Sequence, residues 1–307
     1  MIVRTAFDVP PSPARVHPPT RAPLRVGLVQ LDWHPDPHEH DDAIADAIRT
    51  ASHEGARLVC LPELTRSAYF AVERRDPNHP QAEPEPLPGG PTHELVARCA
   101  RETGAYVHAS CYEAADDGGL GYNTAFVVAP DGAIVARTRK THLPVTAGYH
   151  EDTWFRPGDS GWPVTPIQTA AFGFPTCWDQ WFPETSRAFA IAGAEVLVYP
   201  TAIGSEPDHP DFDTEPLWEQ VIRAQGIMNG TFMLAVNRTG REGPITFYGS
   251  SFVSDPYGRA LVQAPRSEPA VLVADLDLDQ SRDWLDLFPL LRTRRPETYG
   301  PLTQTGS

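Results

Sequence analysis

Three residues with reactive side chains lie at the ends of apolar, strand-like segments. Glu63 ends RLVCLPE, Lys140 ends AIVARTRK, and Cys177 follows FGFPT. The loops at the carboxyl ends of strands are where α/β proteins usually place ligands. A carboxylate, an ammonium and a thiol would supply a base, an electrostatic stabiliser and a nucleophile, which hydrolysis of a carbon–nitrogen bond through an acyl-enzyme requires. These residue types therefore indicate thiol-dependent hydrolysis.

Cys177 is set apart from the other cysteines by its polar, tryptophan-flanked surroundings in FPTCWDQWFPET. The pattern predicts a turn between a strand and a helix whose first turn contains Pro183 and Glu184. Backbone N–H groups and the helix dipole at such a turn would lower the pKa of the thiol and hold an oxyanion. The alternative is a buried structural cysteine, because cysteine is commonly buried. That role is predicted for Cys60, Cys99 and Cys111, which lie within apolar strand or helix patterns.

Lys140 is the only lysine among the 25 basic residues of the chain, and all the others are arginine. Lysine offers a compact ammonium whose pKa can shift, which arginine cannot supply. This usage indicates that position 140 requires an ammonium. The alternatives are an ordinary surface ammonium for Lys140 and a solvated carboxylate at the end of a strand for Glu63.

The composition excludes several classes of partner. The formal net charge of -15 leaves no basic surface for a nucleic acid backbone. No apolar run approaches the roughly 18 to 20 residues that span a bilayer, so no membrane partner is predicted. The N-terminal segment also lacks the apolar core of about 7 to 15 residues that a signal peptide contains, which favours a cytoplasmic location.

No metal site is predicted from the cysteines and histidines. The four cysteines form no CxxC pair and no cluster with histidine at zinc spacing. Histidines concentrate in HPDPHEH (residues 34–40), which is interpreted as a solvated loop rather than a metal site. A serine nucleophile is not favoured either, because the chain has no GxSxG motif.

The chain is predicted to contain one domain over residues 24–300. Residues 1–23 contain six prolines and no periodic apolar pattern, so we expect a flexible or extended arm outside the folded core, with structure beginning at Leu24. Residues 76–91 are predicted to form a proline-rich loop. Residues 301–307 are expected to be a tail.

Apolar periodicity predicts alternating strands and helices within this domain. Strands are predicted in LRVGLVQL, RLVCLPE, YVHASCYE, EVLVYPTA, TFMLAVNR and AVLVADLDLD, and helices in DDAIADAIRTASHEGA, THELVARCARETGA and about residues 183–194 and 217–229. Two further segments, TAFVVAPDGAIVAR and SSFVSDPYGRALVQ, have the pattern of hairpins. Direct hairpins among alternating strands and helices predict an α/β fold with mixed sheets rather than a purely parallel one.

Several segments in order resemble the nitrilase (carbon–nitrogen hydrolase) superfamily, from about Leu24 to Tyr299. The similar segments are CLPEL, RTRKTHLP, CWDQWFPE, GAEVLVYPTA, YPTAIGSEP, NRTGRE, ITFYGSSF and RRPETY. The resemblance implies a four-layer αββα sandwich with two mixed sheets. It also implies a homodimer or larger homo-oligomer formed through the face that bears the helix after the nucleophile.

The resemblance also implies a role for each candidate catalytic residue. Glu63 would be the general base for Cys177, which would attack the carbonyl. Lys140 and the backbone N–H of Trp178 would hold the oxyanion. Glu151, in GYHEDTWFRPGD, would orient Lys140 and the substrate amide. No metal or organic cofactor is implied.

Within the superfamily the segments are most similar to the N-carbamoylputrescine amidase family. The resemblance therefore implies an N-carbamoyl amine as substrate, with N-carbamoylputrescine as the first candidate. An N-carbamoyl amino acid, an ω-amide or another pathway amide is an alternative substrate, and a catalytically silent binding subunit is an alternative of another class. The candidate substrate-binding residues are Tyr69, Tyr149, Trp181, Ala202 and Glu206. Five departures from the family pattern bear on the shape of the substrate pocket: Ala68 in place of an aromatic residue, Pro175 and Thr176 in place of an apolar pair, and Ala147 and Asp152 in the loop after Lys140.

Overall fold

The computed structural model describes residues 1–76, 78 and 82–304. The predicted proline-rich loop of residues 76–91 and the predicted tail of residues 301–307 therefore fall partly outside the described residues. Within these limits the chain folds around two central sheets. Strands and helices are numbered below in chain order.

The first sheet has seven strands, some parallel and some antiparallel to their neighbours. Their spatial order is β1 (Ile2–Ala6), β17 (Ala270–Leu276), β2 (Leu24–Gln30), β3 (Leu58–Cys60), β4 (Tyr106–Glu113), β5 (Tyr122–Val128) and β6 (Ile134–Arg139). Strands β2, β3 and β4 run parallel to one another, whereas β17 is antiparallel to β2. Strands β5 and β6 form the first predicted hairpin.

The second sheet has six strands and is also mixed. Their spatial order is β16 (Ala260–Gln263), β15 (Phe252–Ser254), β12 (Phe232–Asn237), β11 (Val196–Thr201), β10 (Ala170–Gly173) and β9 (Thr165–Ile167). The second predicted hairpin is β15 with β16. Two short hairpins lie outside both sheets: β7 (Val145–Thr146) with β8 (Tyr149–His150), and β13 (Thr239–Glu242) with β14 (Ile245–Tyr248). The prediction of mixed sheets is confirmed.

Proline and glycine mark the ends of most helices. The α-helices are α1 (Pro37–His53), α2 (Pro91–Thr103), α3 (Pro183–Ile191), α4 (Glu215–Asn229) and α5 (Asp279–Leu287). The first four carry proline in their first two positions, where its fixed φ is favourable and its missing N–H costs nothing. Helices α2 and α4 end at Gly104 and Gly230, which adopt the left-handed conformation that glycine tolerates.

The elements stack in four layers, which confirms the predicted αββα sandwich. Alternate residues of β2 point to opposite faces of the first sheet, so Leu28 packs between the sheets while Val29 packs against the α1 and α2 layer. Phe172 and Val198 of the second sheet face Leu28 across the central core. On the outer face of the second sheet, the apolar residues of α3 and α4 pack against β11 and β12.

The expectation that residues 1–23 lie outside the folded core is wrong. Strand β1 pairs in parallel with all but the last two residues of β17 and forms an edge of the first sheet. Farther along the same segment, Arg15 and Arg21 form ion pairs with Asp283 and Asp279 of α5 at 2.7 and 3.1 Å. Three of the five side chains of β1 are exposed, and the strand pairs through its backbone groups. An exposed edge strand does not require alternating apolar residues, and the sequence IVRTA has no such alternation that would predict a strand.

The histidine-rich segment of residues 34–40 is not simply a solvated loop. Helix α1 begins inside it at Pro37, and the Asp36 side chain caps the helix by accepting the N–H groups of His38 and Glu39. His40 is buried, with Nε2 3.0 Å from the carbonyl oxygen of Thr65.

No cluster of three or more His, Cys, Asp or Glu in the described part of the chain could hold a metal ion. No described helix has the length and apolar character needed to cross a membrane.

Candidate active site

Lys140 lies between the two predicted catalytic carboxylates. Its Nζ is 2.8 Å from Glu63 Oε1, 2.8 Å from Glu151 Oε1 and 2.6 Å from Glu151 Oε2. All three side chains are fully buried. The structure thus brings these three predicted site residues together. A buried ammonium shared by two carboxylates is stabilised only if its hydrogen bonds are complete, and all three of its donors have acceptors here.

Two of the four predicted catalytic residues follow strands of the first sheet. Glu63 follows β3, and Lys140 directly follows β6, with its backbone N–H donated to Asn123 at 2.8 Å. Glu151 begins a short 3-10 helix after β8. Cys177 instead follows β10 of the second sheet and begins the 3-10 helix Cys177–Trp181. The site thus forms only where the ends of the two sheets are held together.

The two oxygens of Glu63 have different surroundings. Oε1 accepts from Lys140 Nζ and from Asn123 Nδ2, the latter at 2.7 Å. Oε2 is buried and has no hydrogen-bond partner among the described residues. One oxygen therefore anchors the carboxylate, and the other remains available to accept a proton.

Asn123 was missed by sequence reasoning. It lies in the apolar strand β5, and its side chain accepts a hydrogen bond from Ser110 Oγ at 3.2 Å besides donating to Glu63. Nothing local in YNTAFVV marks an asparagine as part of a site. Only the pairing of β5 with β4 and β6, which brings it beside Glu63, reveals the contact.

The electrostatics keep the Lys140 side chain charged. Burial alone would lower its pKa, but the negative charges of Glu151 and Glu63 outweigh burial, so the pKa of Lys140 is raised. Burial has the opposite effect on the acid: it raises the pKa of Glu151 to about 7, with the charge of Glu63 adding to the rise and Lys140 opposing it. Tyr69 donates its hydroxyl to Glu151 Oε1 at 2.7 Å.

The Cys177 thiol has a raised pKa, which corrects the expectation of a lowered one. Burial is the largest cause, and the nearby charge of Glu63 raises the pKa of Cys177 further, while Lys140 and a hydrogen bond from the Ala202 N–H oppose the rise. The 3-10 helix that Cys177 begins is only five residues long, so its dipole is too small to offset complete burial. Cys177 is therefore a neutral thiol at rest and needs a base to become a nucleophile.

The backbone at Cys177 places the thiol at a sharp turn. Cys177 has φ of 41°, in the left-handed region that residues other than glycine rarely adopt. Such strain persists only where surrounding contacts fix it, and it is frequent at functional positions. The next residue, Trp178, lies in the first turn of the 3-10 helix, where N–H groups have no acceptor within the helix. Its role as an oxyanion donor stays a prediction.

Three of the five candidate substrate-binding residues lie in or next to the catalytic cluster. Tyr69 contacts Glu151, and the Ala202 N–H contacts Cys177. Tyr149 also lies near the cluster: burial raises the pKa of Tyr149, and the charges of Cys177 and Glu63 raise it further. Its hydroxyl accepts a hydrogen bond from the Gly204 N–H at 3.1 Å and donates one to the Ser205 carbonyl at 3.2 Å.

Glu206 lies farther out, near Tyr149. It is half-buried, and burial raises its pKa, while His209 and Thr214 oppose the rise. A cavity of about 400 Å³ opens on this side of the site. Its lining includes Gly204, Ser205, Asp211, Asp213, Thr214, Tyr248 and Arg266.

Among the described residues, no hydrogen bond or aromatic contact joins Trp181 to the catalytic cluster. Its ring lies 6.3 Å from that of Trp178, and it packs against the apolar cluster that contains Phe189 and Trp218 on the helical side of the second sheet.

Arg238 is a second residue that sequence reasoning missed, although it lies in the segment NRTGRE. It is buried and donates Nη2 to the carbonyl oxygens of Glu63, Leu64 and Ser67 at 3.1, 3.0 and 2.8 Å. Its Nη1 donates to Glu242 Oε1 at 2.6 Å, and Glu242 Oε2 accepts the backbone N–H of Tyr69 at 2.7 Å. One guanidinium thus holds the loop that carries both Glu63 and Tyr69.

Comparison with known proteins places these observations in a family. Residues 25–286 match the family model described as carbon-nitrogen hydrolase. The chain is 37% identical over 260 residues to N-carbamoylputrescine amidase of Solanum lycopersicum, covering 82% of this chain and 85% of the relative. It is 34% identical over 287 residues to citrullinase of Francisella tularensis, covering 92% and 99%.

Solved structures give the same result. A carbon-nitrogen hydrolase from Helicobacter pylori G27 superposes with a TM-score of 0.84 at 30% identity, covering 93% of this chain and 100% of that one. A mutant of an amidase of the nitrilase superfamily from Nesterenkonia superposes with a TM-score of 0.76 at 27% identity, covering 92% and 99%.

Proposed function

The chain belongs to the carbon–nitrogen hydrolase family and is an amidohydrolase, and we propose that it hydrolyses an N-carbamoyl amine, with N-carbamoylputrescine as the first candidate. The products are the amine, carbon dioxide and ammonia. The observation that carries this proposal is the buried Lys140, which is paired with Glu63 and Glu151 and lies near the buried Cys177 thiol. This arrangement holds a base, a fixed positive charge and a nucleophile in one place.

The first half-reaction transfers the carbamoyl group to Cys177. Glu63 Oε2 accepts the thiol proton as sulfur attacks the ureido carbonyl. The negative charge that forms on the carbonyl oxygen is held by the Lys140 ammonium and the Trp178 N–H. Collapse of the tetrahedral intermediate breaks the bond to the terminal nitrogen, Glu63 returns its proton, and ammonia leaves a thiocarbamate on Cys177.

The second half-reaction releases the amine. Glu63 takes a proton from water, whose oxygen attacks the thiocarbamate carbonyl, and the carbon–sulfur bond breaks with return of the proton to Cys177. The carbamic acid that forms decomposes to carbon dioxide and the amine. A neutral resting thiol supports this scheme, because a thiol with a raised pKa reacts only when an adjacent base removes its proton.

The charges near Tyr149 support a substrate with a cationic distal end. Glu206 is half-buried, and three further acidic residues follow it in the segment EPDHPDFD. Arg266, the basic residue in the lining of the adjacent cavity, is already occupied: it forms two 2.8 Å hydrogen bonds with Asp213. A carboxylate on the substrate would find no free arginine among the described residues of this lining. For an ammonium, the lining offers Asp211, and Glu206 lies outside the lining but in the same segment.

An N-carbamoyl amino acid is the second candidate, because the relative from Francisella tularensis is named citrullinase. Ammonia release should be measured side by side with N-carbamoylputrescine, L-citrulline and N-carbamoyl-β-alanine. We expect the highest kcat/KM with N-carbamoylputrescine. Preference for N-carbamoyl-β-alanine, which has no ammonium, would reject the cationic-end assignment while leaving the chemistry in place. Preference for L-citrulline, which carries both an ammonium and a carboxylate at its distal end, would instead show that the pocket also binds a carboxylate.

The same assay tests the mechanism and the distal contact. Cys177→Ala should abolish ammonia release from every substrate, and an active variant would reject both the nucleophile and the thiocarbamate. Glu206→Gln should raise KM for N-carbamoylputrescine about tenfold with little change in kcat, because it removes a charge-assisted contact outside the reacting centre. An inactive wild-type enzyme across the panel would favour the silent-subunit alternative.

We also propose that the chain forms a homodimer through its α3 and α4 face. Large apolar side chains are exposed on or near this face: Ile191, Leu217, Ile227, Met228, Leu287 and Phe288. Exposed apolar patches on a folded chain are typical of interfaces. Light scattering of the purified protein should give twice the chain mass, and a monomer at micromolar concentration would reject the proposal.

A further inference from the structure

His142 and Asp179 join the two segments that carry Lys140 and Cys177. His142 lies two residues after Lys140, and Asp179 lies two residues after Cys177. The backbone N–H of His142 donates to Asp179 Oδ1 at 3.0 Å, and His142 Nδ1 lies 2.7 Å from the same oxygen. A carboxylate only accepts hydrogen bonds, so Nδ1 carries the proton and donates. One carboxylate oxygen thus holds the Lys140 segment at two points.

The other oxygen of Asp179 holds the turn that contains Cys177. Asp179 Oδ2 accepts the backbone N–H of Thr176 at 3.1 Å, and the Asp179 N–H donates to the Thr176 carbonyl at 3.0 Å. These two bonds close a loop across Cys177, whose φ lies in the left-handed region. The Asp179 carboxylate is buried, so little else competes for its oxygens.

The face of the His142 ring is also held by an aromatic contact. It stacks on Phe182 with ring centroids 3.7 Å apart and an interplanar angle of 9°. Phe182 in turn donates its backbone N–H to the carbonyl oxygen of Asp179 at 3.2 Å. The ring, the carboxylate and the Cys177 turn therefore form one connected unit.

We propose that His142 is a positioning residue that acts through Asp179 to fix the Cys177 thiol relative to the Lys140 ammonium. The inference rests on the proposed role of Cys177 as nucleophile. Lys140 is already fixed to the first sheet by Glu63 and Glu151, whereas Cys177 belongs to the second sheet. The contact between His142 and Asp179 ties these two parts of the site together directly.

The test compares three substitutions at His142 by ammonia release from N-carbamoylputrescine. His142→Ala removes the ring donor and should lower kcat about 10- to 100-fold, since a displacement of about 1 Å can cost on the order of 100-fold. KM should change less than about threefold, because the substrate contacts remain. His142→Asn places an amide donor near the Nδ1 position and should recover most of kcat, whereas His142→Gln, whose donor lies nearer the Nε2 position, should not.

Two controls separate the possible failures. His53→Ala, an exposed histidine at the end of α1, should leave kcat unchanged. Cys177→Ala should be inactive; if it is active, the proposed function fails first. If Cys177→Ala is inactive but His142→Ala keeps full kcat, only the positioning role is rejected. Equal losses in the Asn and Ala variants, or a loss accounted for by a lower melting temperature, would also reject it.

Discussion

Tyr69 donates its hydroxyl to Glu151 Oε1, the same oxygen that receives Lys140 Nζ at 2.8 Å. Glu151 is therefore held by two donors from different parts of the chain. The backbone N–H of Tyr69 is itself held by Glu242. Tyr69 thus helps to fix the buried carboxylate that pairs with Lys140.

Removal of the Tyr69 hydroxyl should lower both the stability of the protein and its kcat without abolishing activity. In Tyr69→Phe the buried Glu151 loses one donor, so we expect a decrease of about 1 to 3 kcal/mol in the free energy of unfolding. We also expect kcat to decrease about tenfold, because Lys140 is then oriented less rigidly. Urea unfolding and ammonia release measure the two effects. Tyr106→Phe, at the start of β4, is the matched control and should change neither the free energy of unfolding nor kcat.

Glu63→Gln should make the Cys177 thiol easier to alkylate and at the same time lower the rate of turnover. The charge of Glu63 raises the pKa of Cys177, so its removal should move the alkylation of Cys177 by iodoacetamide to lower pH. Turnover should nevertheless decrease at least about 100-fold, because the base is gone. Peptide mass spectrometry across a pH series measures the first effect. An alkylation profile that stays in place would contradict the electrostatic assignment; Glu94→Gln, on the exposed side of α2, is the control.

Arg238→Lys should show that geometry, not charge alone, holds the Glu63 loop. Lysine keeps the positive charge but cannot reproduce the planar fork that reaches three carbonyl oxygens and Glu242. We expect the free energy of unfolding to decrease by about 2 to 4 kcal/mol, together with a decrease in kcat. Arg241→Lys, three residues away and exposed, should behave like the wild type. Equal behaviour of the two variants would contradict the structural role.

Deletion of residues 1–8 should lower stability and leave the chemistry intact. The deletion removes β1 and exposes the backbone groups of β17 at the edge of the first sheet, far along the sheet from Lys140. We expect a lower melting temperature and a greater tendency to associate, because unpaired edge strands recruit other strands. Differential scanning calorimetry and light scattering measure these effects. An unchanged melting temperature would show that β1 adds nothing to the fold.

His108 should make the protein sensitive to acid. It is buried against Phe174, and burial lowers the pKa of His108 to about 3, below its usual value of about 6.5. Between these pH values the unfolded chain binds a proton that the folded chain does not, so stability decreases as pH falls, by about 1.4 kcal/mol per pH unit.

His108→Leu should remove this contribution. When the pH is lowered from 6.5 to 5, the free energy of unfolding of the wild type should therefore decrease by about 2 kcal/mol relative to that of the variant. Urea unfolding at the two pH values measures the change. His40, whose pKa burial also lowers, is present in both proteins and cancels. Parallel pH dependence in the two proteins would contradict the prediction.

Sequence reasoning predicted most of the fold and the centre of the site. Apolar periodicity gave the mixed sheets, and the single lysine pointed to Lys140, because an unusual residue choice is visible without coordinates. Asn123 and Arg238 were not predicted, since their importance depends on which strands are neighbours. Strand β1 was missed for a related reason: an edge strand held by backbone hydrogen bonds leaves little trace in side-chain pattern.

The pKa of Cys177 was predicted in the wrong direction because the turn was visible in the sequence and the burial was not. The sequence around Cys177 is polar and flanked by tryptophans, and this pattern does not predict complete burial. In the structure the thiol is enclosed, and enclosure raises the pKa of Cys177 more than backbone N–H groups and Lys140 lower it. A sequence gives the local dipoles of a turn but not the dielectric around it.

The protonated state of Cys177 at rest has a consequence for how long such an enzyme survives. Peroxides and stray electrophiles attack thiolates far faster than thiols, so a nucleophile that stays protonated until a substrate arrives is poorly reactive towards oxidants. Under the proposed mechanism, enclosure of Cys177 is therefore expected to slow its oxidation and to make every turnover depend on Glu63.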